Sequence, residues 1–196
     1  MLEGLLSFLG IYKLYEKWLW FQVKEGGKKP EHVAIILDGN RRWASDNALI
    51  SWMGHRHGAD KVDELLDWCI QLDFKFITLY AFSTENFRRP HEEVEELMKL
   101  IEEKMLSLLD NKAIHENKIK VKVIGRRDLL PKSIQDAIER VEEKTKDYPE
   151  RLLNMALAYG GRAEIVDATK EIAKKAVKGE INPDKINEKI FEKYLY

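Results

Sequence analysis

The chain has 196 residues, 44% of them hydrophobic, enough for one sizeable core and too few for two ordinary enzyme domains. With 33 Lys plus Arg against 34 Asp plus Glu, the formal net charge of -1 argues against a general nucleic-acid binder. The one cysteine, Cys69, offers neither an internal disulfide nor a metal cluster; it reads as a core thiol in a reducing, cytoplasmic setting.

Residues 1–23 are rich in Leu, Phe, Tyr and Trp but broken by Lys13, Glu16 and Lys17, which disfavours a membrane span, and no small-residue cleavage site marks a signal peptide. An amphipathic helix is expected, lying on a bilayer surface with Trp18 and Trp20 at headgroup level or docked on the domain or on a second copy. Residues 24–30, with Gly26, Gly27 and Pro30, form a linker, so 1–30 stands apart from a domain over 31–196.

That domain opens with an apolar, β-branched run at 33–37 that shows no alternation, the pattern of a strand buried on both faces of a parallel sheet. It ends at Asp38-Gly39-Asn40-Arg41-Arg42. An acid at the carboxyl end of such a strand, a turn-permitting glycine and two arginines suit a magnesium ion bridging to a phosphate or diphosphate. The same residues read equally well as a helix cap and a plain turn. A short helix at 42–48 precedes a segment of unassigned form and then Gly54-His55-Arg56-His57-Gly58, which reads as a loop able to close on a ligand. Residues 59–72 return to helical spacing.

A second strand at 74–82 runs into Ser83-Thr84-Glu85-Asn86-Phe87-Arg88-Arg89-Pro90, and Pro90 with Glu92 and Glu93 opens a long helix to about Leu109. Ser83 and Thr84 also suit plain capping. A third strand at 119–125 ends in Arg126-Arg127 and precedes a helix at 131–146. A fourth at 152–159 ends in Gly160-Gly161-Arg162 and precedes a helix at 163–177, and a last helix is expected from Pro183 to the chain end. Four strand–helix alternations imply an α/β fold, a mainly parallel central sheet wrapped by helices. Seven arginines follow strand ends on what must be one edge of that sheet, which suggests that several converge on a polyanion.

The motifs Asp38-Gly39-Asn40-Arg41-Arg42-Trp43-Ala44, Gly54-His55, Tyr80-Ala81-Phe82-Ser83-Thr84-Glu85-Asn86-Phe87-Arg88-Arg89-Pro90 and Asn154-Met155-Ala156-Leu157-Ala158-Tyr159-Gly160-Gly161-Arg162 together resemble the cis-prenyltransferases, the undecaprenyl or dehydrodolichyl diphosphate synthases. The resemblance implies consecutive condensation of isopentenyl diphosphate onto an allylic diphosphate, farnesyl or geranylgeranyl diphosphate, each step making a Z double bond. The product is a polyprenyl diphosphate of the glycosyl-carrier type, and the enzyme a homodimer. By the same likeness Asp38 binds Mg2+ and helps the allylic diphosphate leave, while Gly39, Asn40, Arg41 and Arg42 cradle that diphosphate. Trp43 and His55 lie beside it and Arg89 assists. Ser83, Thr84, Glu85, Asn86 and Phe87 line the site, with Asn86 as the family's proton acceptor. A neutral amide is a feeble base, so orientation by Asn86 and proton uptake by a diphosphate oxygen is the physically preferable version. An apolar tunnel for the chain is implied between the helices at 60–70 and 92–109.

Two departures stand out. Ser51 occupies the position of a usual arginine before the Gly-His pair. The family's closing Arg-x-Ser-Gly-Glu-x-Arg-x-Ser motif does not occur before Tyr194-Leu195-Tyr196, so a chain cut short, and inactive as it stands, is the expectation. Two rival readings share the fold or the acid: a non-catalytic partner subunit of a heteromeric prenyltransferase and a lipid-diphosphate binder. A phosphatase with an aspartate nucleophile lacks its second acid, because Asn40 stands there.

Overall fold

Four segments rich in Val, Ile, Leu and aromatic residues form one parallel sheet in the order β1-β2-β4-β3, where β1 is His32–Ile36, β2 Phe76–Ser83, β3 Ile119–Ile124 and β4 Arg151–Tyr159. The computed structural model describes residues 11–27 and 29–196, with side chains from residue 14 onward. Helices fill the connections, as parallel pairing requires: α2 (Asn40–Asp46) and α3 (Ser51–Gln71) join β1 to β2, α4 (His91–Ser107) and α5 (Lys112–Glu116) join β2 to β3, and α6 (Lys132–Thr145) joins β3 to β4, while α1 (Ile11–Glu25) precedes the sheet and α7 (Gly161–Val177) and α8 (Glu188–Glu192) follow it.

The core lies on one face of the sheet. Ile77, Leu79, Val121, Val123, Leu153 and Leu157 meet Leu66 and Cys69 of α3, Leu97, Met98 and Met105 of α4, and Ile134, Ile138 and Val141 of α6. Apolar residues at helical spacing on each of these helices supply one stripe toward that face. The opposite face carries Thr78, Lys120, Lys122 and Asn154, and β3 alternates between buried and exposed positions along its length. The expectation of an opening strand buried on both faces is therefore corrected: β1 is an edge strand among the described residues, its Val33 and Ile35 half-buried and its Ile36 69% exposed. An apolar run is a poor guide to depth when the second face lacks a covering helix.

Two further corrections concern helices. The Gly54–Gly58 segment is no loop but the interior of α3, which begins at Ser51. The last helix is broken, because Asn182 caps a 3-10 turn at Pro183–Lys185 and Asn187 then accepts from the Ile190 N–H to start α8 separately. Along α1, Leu14, Tyr15, Trp18, Leu19 and Phe21 are all exposed, so the other described residues do not cover its apolar side; the part of this helix expected over residues 1–10 lies outside the described residues. No helix among the described residues is long and apolar enough to cross a membrane.

Candidate active site

β1 hands the chain to the site. Leu37 N–H still donates to Tyr80 O, at 3.1 Å, and then Gly39 takes φ 90°, a left-handed turn that starts α2. Asp38 does not cap that helix. Its Oδ1 accepts from Gly39 N–H at 2.6 Å, its Oδ2 accepts from Arg42 Nη2 at 3.4 Å, and the carboxylate is 79% exposed. Between the two readings of Asp-Gly-Asn, the geometry leaves an accessible acid with a guanidinium beside it.

α3 is drawn against α2 by two glycines one turn apart. A Cβ at Gly54 would stand 2.1 Å from Asn40 O, and one at Gly58 would stand 2.2 Å from Asn40 Oδ1. Glycines four residues apart share one helix face. Here they let the Asn40 backbone and side chain lie directly on α3, which holds Asn40 at the mouth of the site.

β2 supplies the facing wall. Its register with β4 slips after Tyr80 and again after Phe82, and Ala158 on β4 has φ 48°. Such bulges re-aim strand ends beside functional sites. Ser83 then begins a 3-10 turn, Thr84–Arg88, closed by a reciprocal capping box in which Ser83 N–H donates to Asn86 Oδ1 at 2.9 Å. The amide oxygen of Asn86 is thus engaged, and its Nδ2 is the group left to interact with a ligand.

Behind the turn sits a carboxylate that sequence reasoning took for an ordinary first-turn helix acid. Glu93 is 8% exposed; its Oε1 accepts from Arg89 Nη1 at 3.1 Å, lies 3.1 Å from His55 Nε2 and 3.6 Å from Arg41 Nε. Burial pushes the His55 imidazole below its ordinary value; the bond to Glu93 opposes this and Arg89 reinforces it. His55 Nε2 stands between the Glu93 carboxylate at 3.1 Å and the Arg89 Nη1 donor at 3.3 Å. Glu93 therefore gathers three of the expected ligands of the site. The spacing of four between Arg89, just before α4, and Glu93, in its first turn, was the available signal.

Two connected spaces result. An open basin of about 580 Å3 is lined by Asp38, Gly39, Asn40, Arg41, Arg42, Ser45, Ser51, His55 and Arg89. It shares Leu37, Asp38, Asn40, His55 and Arg89 with a cavity of about 270 Å3 that continues inward past Ser83 and Asn86 to Leu66, Leu97, Ile101, Leu108 and Leu157. In the basin three guanidinium groups surround Asp38 and His55, and the buried Glu93 carboxylate stands behind Arg41, His55 and Arg89.

Four expected residues line neither space. Trp43 stacks on His57 with ring centroids 4.2 Å apart, and Phe87 packs edge-on against Phe82 of the core. Thr84 abuts Gly160, and Glu85 is exposed on the 3-10 turn. The expected convergence of arginines is also narrower than their spacing suggested. Arg126 is bound bidentately by Asp167 at 2.7 Å and Arg127 by Glu142, which makes both structural; the guanidinium holds the Asp167 carboxyl down at about 2. Arg88 and Arg162 are exposed.

A model of the putative undecaprenyl diphosphate synthase family matches residues 36–196. The chain belongs to that family. Among its members, a tritrans,polycis-undecaprenyl-diphosphate synthase (geranylgeranyl-diphosphate specific) from Pyrococcus horikoshii is 50% identical over 191 residues, 97% of this chain and 72% of that protein. The family member of the same description from Methanopyrus kandleri is 48% identical, over 97% of this chain and 70% of its own length. The crystal structure of lavandulyl diphosphate synthase from Lavandula x intermedia in complex with dimethylallyl diphosphate superposes with a TM-score of 0.80 at 34% identity, covering 89% of this chain and 72% of that one. A probable undecaprenyl diphosphate synthase from Campylobacter jejuni gives 0.65 at 27% identity, covering 86% and 70%. Family membership makes the chain a prenyltransferase, a polyprenyl diphosphate synthase by class.

Proposed function

We propose that the chain extends an allylic diphosphate, geranylgeranyl or farnesyl diphosphate, by repeated addition of isopentenyl diphosphate to give a long Z-polyprenyl diphosphate. The observation that carries this reading is the continuity of a cationic basin with an apolar cavity through Asp38, Asn40, His55 and Arg89. That is the shape of one amphiphile, diphosphate outside and hydrocarbon inside. The description of the archaeal relatives as geranylgeranyl-diphosphate specific favours that primer.

In each addition the bond between the allylic carbon and its diphosphate oxygen breaks, a carbon–carbon bond forms to the incoming alkene, and a proton leaves the resulting cation. Arg41, Arg42 and Arg89 stabilise the charge that collects on the departing diphosphate, the largest rate effect a preorganised site provides. Gly39 lets the backbone approach the phosphates, and Asn40, locked against Gly58, orients them. Asn86 donates from Nδ2 and positions the alkene, so a diphosphate oxygen is the better proton acceptor. Ser83 holds Asn86 through the capping box; Thr84, Glu85 and Phe87 belong to that turn and support this wall, while Trp43 braces α2 against α3 by stacking on His57.

The donor set fits magnesium in one way. Asp38 is the accessible carboxylate of the basin, and no cluster of three or more His, Cys, Asp or Glu occurs among the described residues. Among the described residues, Asp38 would hold the ion together with the bound diphosphate. When bound, Mg2+ neutralises diphosphate charge that the arginines leave uncovered.

The exposed Leu14, Tyr15, Trp18 and Phe21 of α1 favour contact with a lipid surface, where the product would reside. The homodimer rests on the family likeness and is checked by light scattering. Incorporation of labelled isopentenyl diphosphate into solvent-extractable product, with geranylgeranyl diphosphate and with Mg2+ or chelator, tests the reading. Metal-dependent incorporation, by the chain itself or by the chain extended with a relative's closing Arg-x-Ser-Gly-Glu-x-Arg-x-Ser segment, supports it, and none by either overturns it.

A further inference from the structure

Ionic rungs tie α3 to α4. Arg56 donates to Glu103 from Nη1 and Nη2 at 3.3 and 3.1 Å, and Lys104 Nζ donates to Asp60 at 3.0 Å and to Asp63 at 3.2 Å. Between the rungs and the sheet the two helices stand apart, and Val62 and Leu66 face Leu97 and Ile101 across the 270 Å3 cavity. Asp63 and Lys104 line that cavity themselves, yet their side chains are 56% and 27% exposed to solvent. At this point the wall is one ion pair thick.

Toward the core the cavity is bounded by the sheet and by the buried Leu66, Leu97, Leu100 and Leu108, whose displacement forfeits apolar burial and close packing. A half-exposed ion pair costs far less to part, because water takes over both charges. The cavity is also small for its proposed occupant. An apolar space of roughly 150 Å3 takes a benzene ring. The 270 Å3 here therefore holds on the order of two five-carbon units. A long polyprenyl chain needs several times that room.

We propose that Lys104, bridged to Asp60 and Asp63, is a side gate of the prenyl cavity and a determinant of product length. Closed, it confines the hydrocarbon; parted, it lets the chain pass out between α3 and α4. This rests on the reading of the cavity as the prenyl-chain site, and the experiment separates the two.

Product lengths are resolved by chromatography for the wild-type full chain, Lys104→Ala, Lys104→Arg and the Asp60→Asn/Asp63→Asn double variant. The length distribution is the readout, independent of turnover. Lys104→Ala and the double variant shift the distribution longer by about two or more isoprene units, while Lys104→Arg stays at wild type, since Arg can span the same pair of carboxylates. Raising ionic strength from about 0.1 to about 1 M, which shortens the Debye length from roughly 10 to roughly 3 Å, moves wild type the same way and leaves Lys104→Ala unmoved. A second readout needs no turnover: the affinity for a long polyprenyl monophosphate relative to farnesyl monophosphate rises in Lys104→Ala. Unchanged lengths and an unchanged affinity ratio in both Lys104→Ala and the double variant overturn the gate while prenyl transfer stands. Absence of any incorporation by wild type, with and without the closing segment of a relative, overturns the proposed function, and the gate with it.

Discussion

Glu93 Oε1 and His55 Nε2 lie 3.1 Å apart, both side chains less than a tenth exposed, at the back of a basin whose front carries Asp38 and Arg42. The same oxygen accepts from Arg89, so one buried charge fixes two groups that face the substrate. Glu93→Ala leaves Arg89 without its buried partner and lowers unfolding free energy by about 3 kcal/mol, measured by urea titration. Glu93→Gln keeps the shape, loses the charge and lowers kcat/KM about 100-fold by displacing His55 and Arg89. Wild-type kinetics in Glu93→Gln would remove the positioning role.

The depressed His55 pKa has a thermodynamic signature. The unfolded chain takes up a proton as pH falls through the ordinary value of 6.5, while the folded imidazole, buried against Glu93, Arg89 and Arg41, resists it. Its contribution to stability is therefore intact above 6.5 and is lost as pH falls from there toward the folded value. Comparing urea midpoints at about pH 7.5 and about pH 5.5, the loss on acidification is smaller in His55→Asn than in wild type.

Asp38 is exposed and makes only one strong contact, to the neighbouring Gly39 N–H. Asp38→Ala changes unfolding free energy by no more than about 0.5 kcal/mol yet abolishes labelled isopentenyl diphosphate incorporation. A variant that keeps wild-type rates refutes the assignment.

The two α3 glycines differ in what they protect. Gly54→Ala drives a methyl into the Asn40 carbonyl and the Ala44 side chain, and overpacking of this kind costs about 1–3 kcal/mol. Gly58→Ala meets only the Asn40 side chain, which can swing away. Thermal scans will show a loss for Gly54→Ala and little for Gly58→Ala, whereas the KM for the allylic diphosphate rises in Gly58→Ala.

The strand–helix alternation, the parallel sheet and the acid at the end of β1 were legible because they depend on local periodicity and on where a strand stops. Asp38, Asn40, Arg41, Arg42, His55 and Arg89 do meet in one basin. What escaped was decided by partners distant in sequence. Nothing near Arg126 or Arg127 announces that Asp167 and Glu142 will claim them. Gly54 and Gly58 look like hinge residues until α2 is known to press on that helix face. The expected burial of β1 failed for the same reason, since exposure of Ile36 depends on what stands beside the sheet.

Leu66, Leu97, Leu153 and Leu157 belong to the hydrophobic core and also line the cavity. Carving more room by trimming any of them to alanine would cost about 2–5 kcal/mol, a large part of a typical domain's margin against unfolding. A longer product reached by that route would require compensating substitutions elsewhere. Diversification at the charged seam between the helices faces no such toll, and natural variation in chain length should accumulate there first.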